Sequence, residues 1–295
     1  MEPNVRFWIA ERRSFVQRLL QWTELLDPTN LITSIEKIEK SRQLLFTSED
    51  AYRFDVDDQR IKDAWKRSLS TVHPDSSRLI PILFRPAAFL PLTVPTVSLY
   101  AYTTGFTMVN GNASYSHSLP AKILLGAGVI ASSTFFGLIP HLVQMKYHLD
   151  NPWIKRALPI VFLAQVSGMN VFASRSLEPV QGIEVMDKDG NVIGRSRRAG
   201  RKAVRETAIS RAVLFGTSAF IPEVFTYFFK RTQFFLQNPQ SLWTLKLSCT
   251  LLVMGVMVPV SFSMFPQIGQ IKYSKLEEEI QALTEETELF YNRGV

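Results

Sequence analysis

Cysteine is nearly absent from this sequence: Cys249 stands alone among 295 residues. One thiol closes no disulfide within the chain and falls short of the four protein ligands an iron–sulfur cluster takes. The four histidines, His73, His117, His141 and His148, show neither HxxxH nor HExxH spacing. The sequence therefore predicts no metal site and no cofactor. Asp55, Asp57 and Asp58 lack the glycine and terminal glutamate of a calcium loop, and beside Asp187 and Asp189 the glycine, Gly190, comes too early for one. No nucleophile–base pair, phosphate-cradling loop or paired-carboxylate site is present, so no enzyme activity is expected. Charges interrupt every apolar stretch near the N-terminus, which excludes a secretory leader there, and Glu2, Glu11 and Glu24 argue against a mitochondrial presequence.

Charge is missing in long runs. Residues 86–121, 123–145, 157–174, 212–222 and 247–271 contain no Asp, Glu, Lys or Arg. A soluble fold spreads charge to keep its helix faces wet, whereas about 20 apolar residues at 1.5 Å each cross a bilayer core. The expected class is an all-α multi-pass membrane protein with the lipid bilayer as its partner. Its hydrophobic segments fall at about 86–109, 122–145, 157–174, 210–229 and 246–268. The first carries Pro86, Pro91 and Pro95 and is expected to be kinked or partly irregular.

The net charge of +7 is unevenly placed. Residues 1–81 hold 13 bases and 13 acids, residues 174–211 nine and five, and residues 270–295 three and six. A basic segment between spans fits orientation rules or anionic lipid. No aromatic-interleaved basic platform accompanies it, so nucleic acid is not an expected partner. With five full spans the N-terminal region and the basic segment would lie on opposite faces; the alternative is that one segment, the proline-rich first or the short third, does not cross fully.

Residues 1–81 read as an N-terminal helical domain, 82–270 as the transmembrane bundle and 271–295 as an acidic C-terminal helix and tail. Trp8, Phe15, Leu19, Trp22 and Leu26 form a helical stripe that either lies in the membrane interface or packs on the rest of the protein. Asp27-Pro28-Thr29-Asn30 predicts a turn, Thr33-Ser34-Ile35-Glu36 a capped helix to about Phe46, and Ile61, Ala64, Trp65 and Leu69 one face of another. Within the basic loop at 175–209, alternating apolar residues around Asp189-Gly190 predict a β-hairpin. From Ser274 a second capping box predicts a helix with Leu276, Ile280 and Leu283 on one face. Asn112-Ala113-Ser114 matches a glycosylation sequon of little weight.

Several strings, in order along nearly the whole chain, resemble the sideroflexins, multi-span proteins of the mitochondrial inner membrane. They are Leu26-Asp27-Pro28-Thr29-Asn30, Ala64-Trp65-Lys66, His73-Pro74-Asp75, Asp187-Lys188-Asp189-Gly190-Asn191, Ile221-Pro222, Phe265-Pro266-Gln267 and Phe290-Tyr291-Asn292-Arg293-Gly294. The chain also departs from the family pattern. Ser76-Ser77-Arg78 stands where Thr-Gly-Glu is usual, and Pro222-Glu223 replaces a Pro-Pro. Gly168–Arg175 keeps only the second of two asparagines, Asn170, together with Arg175, and the stretch 97–110 looks shortened. This is the pattern of a divergent paralogue with a truncated first span. The resemblance implies a role in respiratory complex I assembly, with assembly factors or subunits as partners and an indirect effect on iron–sulfur and iron homeostasis. The alternative it implies is transport of serine or another small amino acid across the mitochondrial inner membrane.

Four polar residues in or beside apolar segments are candidates for a substrate path or bundle interior: Asn170, Arg175, Arg211 and Glu223. A carboxylate or guanidinium in a span normally faces a partner or cavity. For Glu223 the competing reading is an offset segment that leaves it near an interface. For Arg175 it is a snorkelling anchor. Arg211 and Glu223, twelve residues apart, are about 18 Å apart along a straight helix and cannot pair directly. His73, Pro74, Asp75 and Pro222 are candidate structural residues: His73-Pro74 fixes extended backbone, Asp75 is placed to cap a helix, and His73 has the chemistry of a proton-linked gate or simply of a turn. Cys249 reads as a small packing residue. Purified protein is expected to be colourless, and Cys249→Ser to retain full function in null cells. A stoichiometric cluster absorbance that disappears in Cys249→Ser would overturn this.

Overall fold

A computed structural model describes residues 3–10, 14–47, 59–88, 96–111, 119–146, 151–238, 240–284 and 286–294. The calcium-like acids 55–58, the sequon, Pro91, Pro95, His117 and His148 lie outside them.

The aromatic stripe near the N-terminus is divided between two helices, α1 (Pro3–Ala10) and α2 (Phe15–Leu25). The second start is set by a capping box: Gln17 N–H donates to the Ser14 hydroxyl while Ser14 N–H donates to the Gln17 side chain. The stripe's tryptophans turn inward. Trp8 stacks on Trp22 at 6.1 Å and Trp22 meets Phe262 at 5.0 Å, so the packed reading replaces the interfacial one. The turn at Asp27 forms a short 3-10 helix, Pro28–Leu31. The hydrogen bond from Lys66, then those from Thr29, hold the Asp27 carboxyl down at about 2. The helices expected next are α3 (Ile35–Thr47) and α4 (Gln59–Thr71). Leu45, Ile61, Ala64 and Trp65 bury around Phe7 of α1.

The hydrophobic segments form α5 (Thr96–Asn110), α6 (Leu119–Lys146), α7 (Pro152–Ser174), α9 (Arg197–Phe229) and α11 (Ser241–Ser263); α8 (Glu178–Gln181) and α10 (Gln233–Gln237) are short connectors. Four of the five, α6, α7, α9 and α11, are long and apolar enough to cross a membrane, which makes this a multi-pass membrane protein. The fifth is shorter than its 86–109 segment. Residues 86–88 form a 3-10 turn, and α5's 15 residues extend about 22 Å, less than a bilayer core. α5 runs antiparallel to α6 at close range: Gly137 faces Tyr100 and Gly126 faces Met108. A Cβ on Gly137 would sit 2.6 Å from the Tyr100 hydroxyl.

The expected hairpin is present as β1 (Ile183–Met186) and β2 (Val192–Ser196), with Gly190 at φ +78° in its turn. It is half of a four-stranded antiparallel sheet, order β2-β1-β4-β3, completed by β3 (Ile268–Lys272) and β4 (Glu288–Asn292). The helix expected from Ser274 is reduced to one turn, α12 (Glu278–Gln281). Leu276 and Ile280 point into a core of Ile183, Val185, Ala199 and Leu289, while Leu283 is exposed. The end of the tail pairs with strands on both sides, and that pairing outweighs its helical pattern.

The N-terminal helices and the sheet share one face of the bundle, not opposite faces. Val5 and Ile9 bury against Met186, Ile268 and Phe290, and Arg18 donates to the Ser263 carbonyl at 2.9 Å. Four crossings return the chain to its starting side, as five would not. The protein is expected to remain in the pellet after carbonate extraction. In a Cys249→Ser background, Lys40→Cys and Glu279→Cys should react with an impermeant maleimide from one side and Gln237→Cys from the other. Release by carbonate, or labelling of Lys40→Cys and Glu279→Cys from opposite sides, would contradict this arrangement.

Candidate functional site

The bundle and the sheet join around a buried ion pair. Arg175 caps the C-terminus of α7, and α8 begins with Glu178, three residues on. Both side chains are 1% exposed. Arg175 Nε and Nη2 each donate to a Glu178 carboxylate oxygen at 2.6 Å, the paired geometry a guanidinium favours. Its Nη1 donates to the Thr207 hydroxyl of α9 at 3.1 Å, and Nη2 donates also to the Arg293 carbonyl at 2.6 Å. Arg175 is thus a buried tie and not a snorkelling anchor.

Two glycines let backbone close on this pair. A Cβ on Gly111 would lie 3.3 Å from a Glu178 carboxylate oxygen, and one on Gly294, at φ +69°, would lie 2.9 Å from Arg175 Nη2. The neighbouring Arg293 donates to the Phe262 carbonyl at 3.1 Å. Burial lowers its guanidinium to about 10, with Glu206 opposing and Arg175 assisting.

His73, 5% exposed, reaches the same junction. Its Nε2 lies 2.8 Å from the Gly111 carbonyl, and its Nδ1 accepts from the N–H groups of Asp75 and Ser76. These partners assign the proton to Nε2, and they are the contacts of a turn. Pro74 lies in that turn. Asp75 does not cap a helix: its carboxylate accepts from Asn292 at 2.5 Å and so joins the N-terminal region to β4.

Asn170 lies deeper, 2% exposed on α7. Its amide donates to the Thr104 hydroxyl of α5 at 2.8 Å and the Ser133 hydroxyl of α6 at 3.0 Å, joining three helices. Arg211 on α9 is held between the rings of Phe106 and Phe262, at 5.1 and 4.9 Å. Glu223 is half-buried and pairs with Lys246 at the start of α11. Pro222 is buried inside α9, its carbonyl accepting from the Thr226 hydroxyl at 2.7 Å. Among the described residues no three His, Cys, Asp or Glu side chains gather as metal ligands.

The structure therefore brings His73, Asp75 and Arg175 together and leaves Asn170, Arg211 and Glu223 at separate contacts. Sequence reading missed Glu178, Thr207 and the hydroxyls around Asn170. The i, i+3 spacing of Glu178 from Arg175 was the one local signal available. It also missed a cavity of about 1100 Å³ between α5, α6 and α7, lined on one side by residues from His73 to Phe84.

This architecture, four spans with an extramembrane sheet closed by the chain's last strand, coincides with a sequence match to one family. The family model described as "Sideroflexins" covers residues 4–109 and 97–295, and the chain belongs to that family. The two matched pieces meet on the stretch that looked shortened. The chain is 68% identical to Sideroflexin-4 of Bos taurus over 313 aligned positions, covering all of both chains. It is 64% identical to Sideroflexin-4 of Homo sapiens, covering all of this chain and 93% of that one, and 27% identical to human Sideroflexin-5 over 97% and 91%. No solved structure is a significant match to the chain.

Glu178→Gln leaves the Arg175 guanidinium buried without its counter-charge and is expected to cost about 3–5 kcal/mol. Glu223→Gln disrupts a partly solvated pair and is expected to cost less than about 1 kcal/mol. Thermal unfolding of the two variants in the same detergent measures the contrast, and equal melting temperatures would contradict it.

Proposed function

We propose that the chain is a mitochondrial inner-membrane protein that supports assembly of respiratory complex I through contacts with assembly factors or subunits. Effects on iron–sulfur and iron homeostasis then follow indirectly, without a cluster held by this chain. The observation that supports this reading is that each of the four polar residues proposed for a substrate path has a partner within the protein. Glu223 is in a partly solvated pair, and Asn170 is held through its amide nitrogen, its Oδ1 being buried without a hydrogen bond among the described residues. Asn170 joins three helices, Arg175 binds Glu178, Arg211 lies between two phenylalanine rings, and Glu223 pairs with Lys246. An assembly protein needs durable surfaces, and side chains spent on holding the bundle suit that use. The resemblance to a divergent paralogue supports the same reading.

The second reading, a carrier of serine or another small amino acid, is favoured by the cavity that reaches Thr104, the hydroxyl paired to Asn170. A carrier must also bind its cargo differently in two access states. Vesicles containing only this protein are expected to take up labelled serine no faster than protein-free vesicles. Cells lacking the protein should lose complex I and regain it on re-expression. Robust uptake together with normal complex I levels would reverse the order of the two readings.

A further inference from the structure

The cavity between α5, α6 and α7 is graded in polarity along its depth. Arg78 and Lys122 stand on its wall, both exposed, and neither forms an ion pair with another described residue. Arg175 and Glu178 reach the same end but neutralise each other. From Lys122 the wall follows α6 for eight residues to Ile130, about 12 Å into the span. That deeper part is lined by Ala101, Gly105, Met108, Gly126, Ala127 and Ile130, with the Thr104 hydroxyl among them already accepting from Asn170. Met108 packs against Gly126 and Phe84 against Gly105, so the open part of this wall lies beside Ala101, Ala127 and Ile130.

The surroundings of the rim are apolar and open. Ile82, Leu83, Ile123 and Leu124 are 58%, 61%, 63% and 76% exposed. Ile123 and Leu124 lie in the first two turns of a candidate span, at the level where headgroups give way to hydrocarbon. The cavity thus has, at headgroup depth, positive charge with no ion-pair partner among the described residues, and a mainly apolar lining at acyl-chain depth.

Two features argue against a small zwitterion as the occupant. The volume, about 1100 Å³, exceeds the usual range for sites that take drug-sized molecules, so an amino acid would leave most of it empty. The lining offers one carboxylate for an ammonium group, Glu178, and Arg175 already holds both its oxygens. An occupant with negative charge at one end and hydrocarbon at the other satisfies both ends. We infer that this cavity binds an anionic phospholipid, its phosphate between Arg78 and Lys122 and an acyl chain running down between α5 and α6.

The test uses the full chain purified in a mild detergent, with melting followed as phosphatidic acid, phosphatidylcholine or inorganic phosphate is added. Phosphatidic acid is expected to raise the melting temperature well above the effect of phosphatidylcholine at the same mole fraction, and phosphate to leave it unchanged. A basic side chain near an anionic headgroup is worth about 1 kcal/mol, so Arg78→Gln with Lys122→Gln should weaken the phosphatidic acid response about thirty-fold in concentration. The phosphatidylcholine response should stay as it was. Both substituted side chains are exposed, so melting without lipid should match the parent chain and verify the fold. Ala127→Trp, which fills the chain slot, should reduce the phosphatidic acid response with both charges still in place. Equal responses to the two lipids, or a full phosphatidic acid preference in the double variant, would overturn the site. A shift with inorganic phosphate as large as that with phosphatidic acid would show a free-anion site and overturn the lipid assignment.

Discussion

The Arg175–Glu178 pair is the contact on which the junction of bundle and sheet depends. Desolvating two charges is costly, and the cost is met here by paired geometry and by further acceptors from Thr207 and the Arg293 carbonyl. Each partner comes from a different part of the chain. The pair therefore stays satisfied only when α7, α8, α9 and the final strand are all in place. Gly111 and Gly294 belong to the same constraint, because side chains there would crowd the atoms that neutralise the charges.

This polar junction supplies specificity that the bilayer does not. Within hydrocarbon, burying an apolar side chain against another helix gains little over burying it against lipid, so packing of small residues and interhelical hydrogen bonds decide which helices meet. Asn170 acts in this way between α5, α6 and α7, and Gly137 and Gly126 let α5 lie close on α6. On the aqueous side the hydrophobic effect operates at full strength. There Ile183, Val185, Ile271, Leu289 and Tyr291 form a core that holds the ends of the spans in register.

Much of the fold was legible in the sequence because it rests on local signals. The uncharged runs gave the spans, Asp27-Pro28 the turn, the spacing of Ile61, Ala64, Trp65 and Leu69 the fourth helix, and Asp189-Gly190 the hairpin. The C-terminal tail was read only in part: the pattern of Leu276 and Ile280 survives in the single turn of α12, while β4 beyond it depends on partners up to about a hundred residues away. Less of the candidate site was legible. Arg175 and His73 stood out as residues and Glu178 lay within reach at i+3 of Arg175, but their partners Gly111, Thr207 and Arg293 become neighbours only after folding.

Sequence alone determined the class of protein, the number and approximate limits of its hydrophobic segments, and its family resemblance. The first two follow from composition or spacing within a few tens of residues; the resemblance rests on short strings in order along nearly the whole chain. The short α5 agrees with the truncated first span the resemblance implied. Tertiary structure decided that the N-terminal helices and the sheet share one face and that residues 288–292 become a strand. It also decided that the candidate polar residues serve the fold's own contacts. These outcomes turn on which distant groups satisfy a buried donor, acceptor or charge, and no local pattern in the chain encodes that pairing.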